Sequence, residues 1–67
     1  MYGTVQWFSD SKGFGYIIDD ITRQELFAHF SEIKSPGPKV LKDGQRVRYD
    51  IRPGGPTGSR AVDILSI

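Results

Sequence analysis

The stretch KGFGYIID, Lys12–Asp19, decides how this chain is read. From Phe14 onward Phe14, Tyr16 and Ile18 share one parity, and Gly15, Ile17 and Asp19 share the other. That is the period of an extended strand, whose successive side chains leave opposite faces. A second stretch, LFAHF at Leu26–Phe30, repeats the pattern, with Phe27 and His29 opposed to Leu26 and Ala28. Together the two segments hold five rings, Phe14, Tyr16, Phe27, His29 and Phe30, interleaved with glycine and alanine. Rings are costly to leave wet, so these either fill a core or await a partner.

Working outward, helical spacing is hard to find, and short alternating runs separated by turn residues recur. Strands are expected at Gly3–Phe8, Phe14–Asp19, Glu25–His29, Gln45–Arg52 and Ser59–Leu65. Turns fall at residues 9–13 and 20–24, and Pro/Gly-rich loops at 35–39 and 53–58. The segment 31–44 is too long for a hairpin and too broken by proline for a strand; a helical turn is expected near Ser31–Ile33. Alternation then assigns a core of Val5, Ile17, Leu26, Ala28, Ile33, Val47, Tyr49, Ile51, Val62 and Ile64. Phe14, Tyr16, Phe27 and His29 are left over, on the outer face of neighbouring strands.

Composition limits what those rings are for. At 67 residues the chain is expected to form a single small domain, which buries only about 60% of the surface its unfolded form exposes. It has no cysteine, so disulfides and thiolate metal sites are excluded, and an intracellular compartment is expected. No apolar run approaches the roughly 20 residues that span a bilayer, and no signal-peptide pattern opens the chain. Nine Lys and Arg against eight Asp and Glu give a net charge of +1, short of the basic footprint of a pure phosphate binder.

Aromatics on a sheet face with a few cations grip single-stranded nucleic acid, because every base offers a π-face to stack on. Gly13 and Gly15 are expected to leave room for a base, Lys12 to meet a phosphate, and Trp7 and Phe8 to extend the platform. His29 has no second His and no Cys beside it, so neither a metal site nor any other cofactor is expected. No set of paired groups suggests an enzyme.

At this point the chain resembles a known family. KGFGYI (12–17) fits the ribonucleoprotein-1 pattern, and LFAHF (26–30) looks like its partner motif. With WF at 7–8, HFS at 29–31 and LKDGQRVRYDI at 41–51, the chain resembles the bacterial cold shock proteins over nearly its whole length. The resemblance implies an all-β fold, a small five-stranded antiparallel Greek-key β-barrel of the OB type, forming one cold shock domain over residues 1–67. It implies binding of single-stranded RNA and DNA through Trp7, Phe8, Lys12, Phe14, Tyr16, Phe27, His29 and Phe30. RNA chaperoning in the cytoplasm is implied too, with effects on transcription termination or translation under cold or other stress.

Alternation would place Trp7 on the core side with Val5, whereas the family exposes that tryptophan; a bulge in strand one would reconcile the two. The chain departs from the family at Thr4 and Gln6, where lysines are common, and at Pro38, where a loop aromatic is usual. Loop 53–58 lacks the usual basic residue, and Arg60 stands in for it. A monomer is expected, with the 31–44 loop the place where two chains would exchange strands. The competing reading is a small barrel of the SH3 type that docks Pro-rich peptides. An RNA-recognition motif is set aside: it needs two helices and the opposite motif order.

Overall fold

The computed structural model describes residues 1–54 and 58–67; the middle of the expected 53–58 loop lies outside the described residues. Five strands form: β1 (Tyr2–Ser9), β2 (Phe14–Asp19), β3 (Glu25–His29), β4 (Arg46–Arg52) and β5 (Arg60–Ser66). Among the described residues the one helical element is a 3-10 turn at Phe30–Glu32, one residue before its expected place. Ile33 instead forms a parallel bridge with Ile64, which ties the end of that turn to β5.

The strands close into a barrel in the order β1-β2-β3-β5-β4. Antiparallel pairing holds at the β1–β2, β1–β4, β2–β3 and β4–β5 seams, while β3 and β5 run parallel, Phe27 opposite Arg60. Parity requires this. Around a ring with an odd number of strands, directions cannot alternate at every seam, so at least one pair must be parallel.

Two bulges correct the simple alternation. In β1 the register steps from Val5↔Ile17 to Trp7↔Tyr16, so Gln6 is the extra residue. Val5 therefore stays in the core while Trp7 turns outward beside Tyr16, as the family resemblance required. In β5 the register steps from Val62↔Asp50 to Leu65↔Arg48, with Asp63 at φ 52. That step lets Ala61, Val62 and Ile64 all be buried, which strict alternation forbids.

The core otherwise follows the expected pattern, with Val5, Ile17, Leu26, Ala28, Ile33, Val47, Tyr49 and Ile64 packed together. Each fully buried Val, Leu or Ile contributes about 1.5–3 kcal/mol relative to exposure. Leu41 and Ala61 join this cluster unforeseen, and Ile51, expected inside, is only half-buried at its margin.

Among the described residues one charged side chain, that of Asp19, is buried with them. Asp19 accepts hydrogen bonds from the Tyr49 hydroxyl (2.5 Å), from the N–H groups of Ile21 and Thr22 (3.0 Å each) and from the Thr22 hydroxyl (3.3 Å). The Tyr49 bond, first among these, holds the Asp19 pKa down at about 2. Burial, and then the bond to Asp19, pushes the Tyr49 phenol up. The carboxylate thereby shapes the β2–β3 turn from inside the barrel. Next to it Asp20 makes a two-point ion pair with Arg46 at 2.6 and 2.7 Å, and Arg46 also donates to the Thr4 hydroxyl. Arg46 stays exposed to solvent, and its charge is committed to β1 and the β2–β3 turn.

Candidate nucleic-acid interface

The barrel carries two aromatic rows on its outer surface. Trp7, Tyr16 and Phe27 stand opposite one another across β1, β2 and β3, and the row ends at Arg60 on β5. Phe14 and His29 form the next row, one pleat along. Because neighbouring strands pair in register, the rings touch. Trp7 lies 5.6 Å from both Phe14 and Tyr16, and Phe27 lies 5.6 Å from Phe14 and 5.9 Å from Tyr16, centroid to centroid. His29 continues the chain at 6.2 Å from Phe27 and 4.5 Å from Phe30. These separations fall in the range of attractive ring contacts, so the array supports itself. Phe14, Phe27 and His29 are near-parallel, with interplanar angles of 28° and 27°.

The outer ends of the array are the most open: Trp7 is 38% and Phe30 46% exposed. His29 is oriented by its neighbour, since the Ser31 N–H donates to its Nδ1 at 3.2 Å. In the neutral ring the proton therefore sits on Nε2, which has no hydrogen-bond partner among the described residues.

Lys12 lies at one edge of the array, exposed and with no ion pair among the described residues. A cavity of about 240 Å³ lies at the β3–β5 edge, lined by Phe27, His29, Ser31, Glu32, Arg60 and Ala61. Another, of about 270 Å³, joins Asp10, Ser11, Lys12, Gly13, Phe30 and Lys39. Of the residues expected at the interface, Trp7, Phe14, Tyr16, Phe27, His29 and Phe30 form one continuous array, with Lys12 and Arg60 at its margins. Phe8 is not brought to it. Its ring packs against the core, next to Gly15, and its backbone N–H donates to Asp43.

The glycines also differ from expectation. A Cβ on Gly15 would lie 2.1 Å from the Trp7 carbonyl oxygen and 2.7 Å from the Phe8 Cα. Gly15 is buried, and it is there so that β1 can approach β2, not to admit a base. Gly13, at φ +76, lies beneath the Phe30 ring, which a Cβ would meet at 2.6 Å. Sequence reasoning also missed Glu32. It has no periodic signal in an irregular segment, and only the 3-10 turn carries it to the cavity beside Arg60.

Among the described residues, no group of three or more His, Cys, Asp or Glu is placed to hold a metal ion, and no helix is long and apolar enough to cross a membrane.

Comparison with known proteins agrees with this geometry. The chain is 42% identical over 65 residues to the cold shock-like protein CspA of Stigmatella aurantiaca, covering 97% of this chain and 94% of that one. It is 45% identical over 65 residues to the major cold shock protein of Streptococcus pyogenes, with the same coverage of both chains. It is also 45% identical over 62 residues to glycine-rich protein 2 of Nicotiana sylvestris, covering 92% of this chain but spanning only 29% of that longer protein. The family described as the 'Cold-shock' DNA-binding domain matches residues 1–67, end to end, and the chain belongs to that family.

Proposed function

We propose that this protein binds single-stranded RNA and DNA with little sequence selectivity and acts as an RNA chaperone. The observation that carries this reading is the continuous array of six outward rings from Trp7 to Phe30. Stacking tolerates any base and contributes about 1–3 kcal/mol for each. A strand held this way has its bases turned from their pairing partners, so binding shifts RNA hairpins toward open forms by mass action. Effects on transcription termination or translation under cold or other stress follow, in the cytoplasm where transcripts are found. The protein works as a monomeric binder, not a catalyst. Its family membership favours this reading over an SH3-type peptide barrel.

The test is a titration followed by Trp7 fluorescence, which reports on the array because that ring touches both Phe14 and Tyr16. Oligothymidine should bind at least about tenfold tighter than the matching duplex, whose base faces are hidden. With two or three phosphate contacts from Lys12, Arg60 and Lys39, log K should fall against log salt with a slope of about −1.4 to −2.1. Equal affinity for single strand and duplex, or a slope near about −5, would mean charge adhesion and refute the stacking mechanism.

A further inference from the structure

The cavity at the β3–β5 edge has a composition that non-selective stacking does not use. Phe27 and His29 supply near-parallel ring faces, while Glu32 and Arg60 bring opposite charges to the same space of about 240 Å³. The two charges do not pair with each other: the one ion pair among the described residues is Arg46 with Asp20. Glu32 is held in place on one side, its Oε1 accepting the Asp63 N–H at 3.4 Å from the β5 bulge. Its other oxygen has no protein partner among the described residues, and neither has the Arg60 guanidinium.

A ligand that satisfies both must be flat and must carry donors on one edge and acceptors on another. Guanine is the base that meets this fully. N1–H and N2–H₂ are two adjacent donors for a carboxylate, and O6 and N7 are two adjacent acceptors for a guanidinium fork. Adenine and cytosine offer a carboxylate one amino group flanked by an acceptor. Uracil and thymine offer a single N–H between two carbonyls, and both carbonyls would face the anion. Unpaired bases expose all these edges, which is how single strands come to be read.

We propose that the Glu32/Arg60 cavity is a guanine-selective subsite, giving one position of the bound strand a preference that the rest of the array lacks. This rests on the single-strand binding proposed above. Glu32 sets the selectivity by accepting from N1–H and N2–H₂, and Arg60 reinforces it at O6 and N7.

The experiment uses the whole protein, with a seven-nucleotide oligothymidine and seven versions of it, each with guanine at one position, followed by Trp7 fluorescence. Inosine, which lacks the 2-amino group, replaces guanine in a second set. Guanine at one position should tighten binding about tenfold, and inosine should lose most of that gain. Glu32→Gln still accepts the Asp63 N–H but presents a donor to guanine's donors. It should abolish the guanine gain without weakening oligothymidine binding. Circular dichroism of the variant confirms that the barrel is intact. If oligothymidine binds but no guanine position gains, or if Glu32→Gln keeps the gain, the subsite is refuted and general binding stands. If no oligonucleotide binds at all, both fail.

Discussion

Phe27→Ala tests the array at its centre. The Phe27 ring touches Phe14, Tyr16 and His29, at 5.6, 5.9 and 6.2 Å, so it joins both rows. Removing it deletes one stacking platform, at a cost in affinity of about 1–3 kcal/mol, or roughly 5- to 150-fold in Kd. The same change removes three ring contacts of about 0.5–1.5 kcal/mol each. Because the side chain is half-buried on an outer face, its neighbours recover part of this by resettling. A net loss of about 2 kcal/mol is expected, which lowers Tm by about 8–16 °C in a domain this small. Binding should be measured by Trp7 fluorescence well below the lowered Tm. Trp7 has no ring contact with Phe27, so the reporter keeps its own neighbours, Phe14 and Tyr16. A folded variant that binds oligothymidine within about twofold of the parent would refute the platform. A variant that is unfolded in the cold would show Phe27 to be a core residue.

Two further outcomes test the barrel itself. Gly15→Ala places a methyl group against the backbone of Trp7 and Phe8, which cannot swing away as a side chain would. The cost should reach about 3 kcal/mol or more, most of what a core of this size supplies, so a near-parental Tm would contradict the close β1–β2 approach. Acid stability should depend on Asp19, whose folded pKa of about 2 lies below its ordinary 3.8. The unfolded chain then takes up the proton first. The contribution is complete above about 3.8 and is lost as pH falls through about 2. Asp19→Asn should flatten denaturant midpoints across that window, and unchanged steepness would sink the assignment.

What was legible in the sequence was local. A period of two needs only neighbours along one strand, so the strand at Phe14–Asp19 was read to its ends, and that at Glu25–His29 likewise. The same period separated Ile17 and Leu26 from Phe14, Tyr16 and Phe27, because a side chain's face follows from its backbone alone. The departures arise where one strand answers to another. Gln6 bulges because β1 pairs with β2 and β4 at once, and that step, not the local pattern, exposes Trp7. Phe8 packs against the core because Gly15, on the next strand, leaves the space its ring needs. Leu41 has no periodic neighbours to announce it, and it is buried only because its irregular segment folds back over the barrel. Glu32 and Arg60 are far apart along the chain and meet at one cavity only because β3 and β5 form the parallel seam. Strand, face and aromatic strip were therefore written in the sequence, since each depends on adjacent residues. Bulges, the parallel seam and the charged cavity were decided by closing the barrel, which brings together residues that no local pattern relates.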